Sequence, residues 1–274
     1  MKKYFTLIFL LFPISYLKCQ NSHTPIGVNY TGLGCYSLKN IDPLSITGNI
    51  ASLANIQTFS FGMYIENRYL LKETNYYSGL ITAPLSFGHF AFQVDYFGFK
   101  NYNESQIGLS YAKSLGTFLD LGLKFNLYSF KIPQFINTSA VDAELGLIYH
   151  LSDKIHAGLD IYNPIGGYFD KIKNEKLSSF IKLGVGYEAS NEVYLTAGLC
   201  KEINKDISGN IGFQYNLLKK FFLRVGTSSD NAYAGAGLSW NNYRLDITTS
   251  FNQHLGISPG VMLLMNFKKT ESGQ

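Results

Sequence analysis

The chain has 274 residues, 46% hydrophobic and 15% aromatic, with charged residues at only 15% and a formal net charge of +4. Soluble domains usually carry about 25% charged residues, and so mild a positive excess gives no ground for a nucleic-acid partner. The abundance of Tyr, Phe and Gly suits a sheet with one face in lipid and aromatic rings at both interfaces.

Residues 1–19 read as a signal peptide: Lys2 and Lys3 precede an apolar run from Phe5 to Tyr16. That run is shorter than the roughly 20 residues a spanning helix needs. Cleavage is expected after Cys19, leaving Gln20 first, because Lys18 fits a lipidation site poorly. Residues 20–57 alternate weakly and are rich in Gly, Asn, Ser and Pro. They are expected to form a periplasmic segment that plugs a barrel, since an interior of this size must be filled or lined.

From residue 58 the period becomes two. Phe59, Phe61, Met63 and Ile65 alternate with Ser60, Gly62, Tyr64 and Glu66. A second run, Tyr76 to Pro84, is ambiguous in facing, and a third sets Phe90, Phe92, Val94 and Tyr96 against Ala91, Gln93 and Asp95. Ile107, Leu109 and Tyr111 mark the fourth. The fifth is the clearest: Leu119, Leu121, Leu123, Phe125 and Leu127 oppose Asp120, Gly122, Lys124, Asn126 and Tyr128. A helix would scatter those leucines around its axis, whereas a strand gathers them on one side. Nine more runs follow, through Tyr243–Phe251 and Val261–Phe267. The expected fold is all-β, a transmembrane antiparallel barrel of about 14 strands over residues 58–269, with a tail at 270–274.

Charges sort with the pattern. Asp95, Asp120, Lys124, Asp142, Glu144, Asp160, Lys182, Arg224, Arg244 and Asp246 all take the face away from lipid, and all but Asp95 are the candidate lumen-facing polar set. A Lys or Arg in mid-bilayer costs about 2–4 kcal/mol, so the sorting has a physical cause. Connections after even strands read as short, such as Asn241–Asn242. Those after odd strands read as mostly long: Asn67–Asn75, Lys131–Ser139 and Asn163–Leu177. That alternation places both termini in the periplasm and the long loops outside. The cell outer membrane is the expected location and its lipid the expected partner.

No catalytic motif is present, and neither enzymatic activity, a cofactor nor a metal site is expected. The histidines are dispersed. His150 and His156 flank a tight turn and read as a solvated pair at the rim. Asp120, Asp142, Glu144 and Asp160 come from neighbouring strands and read as an acidic inner patch near Lys124. Cys35 and Cys200 remain after cleavage, and Cys200 faces inward. They are candidates for a disulfide pinning the plug, with two free thiols as the other reading.

Ser179-Phe-Ile-Lys-Leu-Gly-Val-Gly-Tyr187, Phe222-Leu-Arg-Val-Gly226, Tyr233-Ala-Gly-Ala-Gly-Leu238 and Tyr243-Arg-Leu-Asp246 set a cadence. With the strand count and the segment before the first strand, it resembles the fourteen-stranded family of the FadL fatty-acid channel and the PorV and PorQ barrels of type IX secretion. Gly48-Asn-Ile-Ala-Ser-Leu-Ala54 is similar to that family's Asn-Pro-Ala-Gly-Leu-Ala signature, with Ile50 in place of Pro. The resemblance implies an accessory in protein secretion or surface assembly, with other secretion or surface proteins as partners. Its alternative is a FadL-like channel for small hydrophobic molecules. Short loops and a charged inner wall tip the expectation toward the accessory.

Overall fold

A computed structural model describes residues 28–164, 166, 168–170, 175–203, 205–218 and 220–267. The expected signal peptide, the start of the N-terminal segment, part of the 163–177 loop and the C-terminal tail fall outside those residues. Fourteen strands close into an antiparallel barrel in chain order. They are β1 (Phe59–Asn67), β2 (Asn75–Leu85), β3 (Gly88–Phe99), β4 (Tyr102–Leu115), β5 (Leu119–Ile132), β6 (Ile136–His150) and β7 (Ile155–Tyr162). The second half comprises β8 (Phe180–Glu188), β9 (Val193–Glu202), β10 (Ile207–Leu217), β11 (Phe221–Ser228), β12 (Asn231–Trp240), β13 (Tyr243–Asn252) and β14 (Gly256–Phe267). β1 pairs with β14 through Phe61↔Met265, Met63↔Leu263 and Ile65↔Val261, so no edge is left open.

The pleat explains the wall. Leu109, Phe125, Val141, Leu183, Ile211 and Ile247 point outward and lie exposed, while their strand neighbours point in and are mostly buried. A continuous apolar surface of this kind is unsuited to water and matches a bilayer. Where β1 begins and β14 finishes, which we call the near end, aromatic pairs ring the wall. They include Phe59–Phe267 at 5.5 Å, Phe90–Tyr111 at 5.1 Å and Trp240–Tyr243 at 6.0 Å. Tyr77–Tyr96, at 6.3 Å, sits toward the far end. The run left ambiguous by sequence, β2, turns Tyr76, Ser78, Leu80 and Thr82 inward and Tyr77 and Ile81 outward.

The far end departs from expectation in one respect. Lys131–Ser139 is not a long loop, because β5 and β6 continue as a paired ladder to Ile132↔Ile136. Ser129 and Ser139 hydroxyls meet across it at 3.1 Å, and Gln134 makes the turn with φ 69°. Ser129, Asn137, Thr138 and Ser139 carry the hairpin beyond the apolar belt, and Phe135 stands exposed at its tip. Only 68–74 and 163–179 are long connections at this end. Both fold back: Arg68 is buried against Glu66 at 3.1 Å and over the Phe97 ring, and Leu177 packs with Tyr128 and Ala140. Within the second connection Tyr168–Asp170 pairs with Glu175–Lys176.

Residues 28–57 run inside the barrel. They form helix α1 (Val28–Thr31) and three 3₁₀ turns, Leu33–Tyr36, Pro43–Thr47 and Ile50–Asn55. Local chemistry sets these turns. Pro43 opens the second one; the Asp42 N–H donates to Ser45 Oγ at 3.0 Å, and the Ser45 hydroxyl donates back to Asp42 at 3.3 Å. Asn49 caps the third by accepting from the Ala51 N–H at 2.9 Å. Tyr30, Leu33, Leu44, Ile46, Ile50, Leu53 and Ile56 form the barrel's apolar core with Tyr64, Leu80, Tyr194, Met262 and Leu264 of the wall. At Gly122 of β5 the segment's backbone comes so close that a Cβ would stand 2.7 Å from the Ala51 nitrogen. Only glycine fits there.

Candidate functional site

The lumen is divided by the segment, and the site is the contact between segment and wall. At the centre stands Arg224 of β11, wholly buried. Its guanidinium donates to Gln214 Oε1 at 2.7 Å, to the Tyr30 carbonyl at 3.1 Å and to Asp42 Oδ2 at 2.9 Å. Arg244 of β13 grips Asp246 through two bonds of 2.8 and 2.6 Å, reaches Asp42 at 3.5 Å and lies over the Phe222 ring at 4.1 Å. The Tyr30 hydroxyl donates to Asp246 at 2.8 Å, and burial holds that phenol protonated well above its ordinary range. Two wall cations, one wall carboxylate and one segment carboxylate thus form a lock around Asp42. Paired geometry of this quality is what makes buried charges tolerable.

The remaining predicted residues occupy two other places. Lys124 donates to Gln93 at 2.9 Å and lies 3.8 Å from Glu144. Asp142 accepts from Asn126 at 2.8 Å and from Tyr162 at 3.0 Å. Asp160 lies 3.9 Å from Lys182 and faces the Ile50 N–H, while Lys182 reaches the Thr47 carbonyl at 3.4 Å. Asp120 does not join that patch. It accepts from Asn55 of the segment at 2.6 Å and from His150 Nε2 at 2.7 Å.

Cys35 and Cys200 are both free thiols, one of the two readings left open by the sequence, although they line the same cavity. Cys35 packs against Gly48 within its own segment, and burial pushes its thiol up to about 12. His150 and His156 are not a solvated rim pair. Both are buried, with their Nδ1 atoms 2.8 Å apart.

Cavities meet the segment at both ends. The far-end cavity, about 340 Å³, is lined by Leu33, Tyr36, Phe180, Lys182, Cys200 and Tyr233 among others. The near-end cavity, about 290 Å³, is lined by Leu38, Ile41, Pro43, Phe222, Arg244 and Leu264 among others. Asp42 and Arg244 border the near-end cavity, so the lock stands between the two.

Sequence reasoning missed Asp42, Tyr30, Asn55, Gln214 and Glu188. Strand parity places Gln214 and Glu188 on the inner face and could have found them. The segment residues carry no periodic signal.

No family model matches the chain, and no curated protein matches it. Solved structures do. The CymD monoaromatic hydrocarbon channel superposes with a TM-score of 0.61 at 12% identity, over 88% of this chain and 97% of that one. The Ralstonia pickettii toluene transporter TbuX gives 0.61 at 10% identity, over 84% and 95%. A Pseudomonas aeruginosa FadL homologue gives 0.55 at 12% identity, over 85% and 94%. At such identities the likeness is one of fold. The chain is an outer-membrane β-barrel.

Proposed function

We propose that the chain is an outer-membrane channel for small hydrophobic molecules, held closed by residues 28–57. The observation that carries this reading is the arrangement of the lumen. Cavities of about 340 and 290 Å³ approach one segment from opposite ends. That segment is held by ion pairs, hydrogen bonds and apolar packing, with its cysteine free of any bridge. Such a divider can move. The described lining of the far-end cavity mixes Leu33, Phe180 and Tyr233 with Lys182, Glu202, Lys205 and Asp230, so it offers a small solute apolar contacts beside charged ones. Fold similarity to hydrocarbon channels supports the same reading.

The secretion-accessory reading rested on short loops and a charged inner wall. The inner charges are engaged with the segment and with one another, so they do not favour it. The far-end connections are mostly no more than four residues long, which agrees with its short loops but leaves little loop surface for a partner.

Uptake tests the proposal. Cells expressing the barrel should take up a radiolabelled monoaromatic hydrocarbon faster than cells lacking it, with no change for a hydrophilic sugar of similar size. Equal hydrocarbon uptake in the two strains would overturn the channel.

A further inference from the structure

At the near end, opposite the arginine lock, a second set of contacts holds the segment. Asn55 of the segment donates to Asp120 at 2.6 Å, and Asp120 accepts from His150 Nε2 at 2.7 Å. His150 Nδ1 meets His156 Nδ1 at 2.8 Å, and His156 Nε2 lies 3.8 Å from Glu188 Oε1. Glu188 Oε1 then accepts from the segment three times: from the Ser37 hydroxyl at 2.6 Å, the Leu38 N–H at 2.7 Å and the Lys39 N–H at 3.1 Å. One buried chain of groups therefore runs from one part of the segment, through four wall strands, to another part of the segment.

Proton counting shows what this chain can and cannot hold. A 2.8 Å contact between two Nδ1 atoms requires an N–H on one and a lone pair on the other. With His150 Nε2–H given to Asp120, the pair is either neutral or carries one extra proton. A second extra proton would put N–H groups on both Nδ1 atoms, and the contact would become repulsive. His156 Nε2 and Glu188 Oε2 are buried and make no hydrogen bond. A protonated His156 thus has a carboxylate close by that it does not yet engage. Moving to it takes Glu188 away from the Ser37–Lys39 donors.

We propose that Asp120, His150, His156 and Glu188 form an acid-sensitive latch: double protonation of the histidine pair breaks the Nδ1 contact and draws Glu188 off the segment, releasing it. This deepens the proposed function and rests on the segment being the channel's gate. The groups facing the pair are Asp120 from β5, Glu188 from β8 and Asp153 from the β6–β7 turn. Lys39 approaches Glu188 Oε2 at 3.8 Å from the segment, Tyr194 of β9 also faces Glu188, and His89 of β3 faces Asp120. Imidazole is the side chain whose charge ordinarily changes under mild acid, so the two histidines are the groups of this chain that such a change addresses.

Cys35 reports on release, because it belongs to the segment and is buried while the segment is seated in the barrel. The full chain is prepared in detergent with Cys200→Ser and treated with 4,4′-dithiodipyridine, which reacts with thiols at acid pH. Modification of Cys35 is followed by peptide mass and divided, at each pH, by the rate for the urea-unfolded chain. The latch predicts at least a tenfold higher normalised rate at pH 5.0 than at pH 7.5. His156→Gln and His150→Gln, each checked for heat-modifiable mobility of a folded barrel, should flatten that step. A wild-type ratio within twofold of one would overturn the latch. So would a step that persists undiminished in whichever of the two variants folds. Hydrocarbon uptake measured in parallel separates the two claims: an acid step at Cys35 with no matching rise in uptake supports the latch and counts against the channel.

Discussion

Asp42→Asn tests the arginine lock with little change of shape. Asparagine retains an oxygen acceptor and remains a good residue before Pro43, so the turn at Pro43–Thr47 keeps its start. What disappears is the negative charge facing Arg224 at 2.9 Å and Arg244 at 3.5 Å. Arg244 keeps both of its bonds to Asp246. Arg224 keeps only neutral partners, Gln214 and the Tyr30 carbonyl. Removing one partner of a buried pair costs about 3–5 kcal/mol, because the other charge is left uncompensated. The remaining acceptors point to the lower end, about 3 kcal/mol. In the released state water enters the lumen and solvates both arginines, so the penalty falls on the closed state. Each 1.4 kcal/mol is tenfold, so the closed-to-open ratio should fall by roughly 150-fold. Cys35 modification at pH 7.5 measures it, since the thiol is buried while the segment is seated and is freed to react faster when the segment leaves. A folded Asp42→Asn barrel labelled within twofold of the wild-type rate would refute the lock.

Leu123→Arg places a cation in lipid at a cost of about 2–4 kcal/mol near mid-bilayer and should cut the yield of heat-modifiable barrel. Asn210→Lys, facing the far-end cavity, should assemble normally; equal yields would contradict the facing. Gly122→Ala should loosen the segment and speed Cys35 labelling, because its Cβ would meet the Ala51 backbone; an unchanged rate would contradict that close approach. An epitope inserted at Gly166 should be detected on intact cells and one at Asn241–Asn242 should not. The reverse pattern would invert the orientation.

The wall was legible because lipid imposes a strict rule on alternate residues. β5 shows this best: every charge or amide from Asp120 to Asn126 points inward. β2 was harder, since Tyr76 and Tyr77 look alike in sequence. One bonds Asp95 inside at 2.9 Å, and the other pairs with Tyr96 outside. Ladder extension at Ser129–Ser139 was hidden by Pro133 and the Asn137-Thr138-Ser139 run, which read as loop. The site itself was half visible. Strand parity found Arg224, Arg244 and Asp246, yet Asp42 and Tyr30 lie in a stretch of short turns without a period. Parity also put Cys200 on the inner wall, but no pattern shows that Cys35 turns to Gly48. His150 and His156 sit beside a turn, where solvent is the ordinary expectation. Asp120 and Glu188, with the segment above them, bury the pair.

Single-channel conductance in planar bilayers tests the central claim most directly, comparing the full chain with one lacking residues 28–52. A gate made by this segment predicts a nearly silent full chain and large, stable conductance from the shortened barrel. Large, stable conductance from the full chain, or no rise on deletion of a segment from a barrel shown to be folded, would contradict the account.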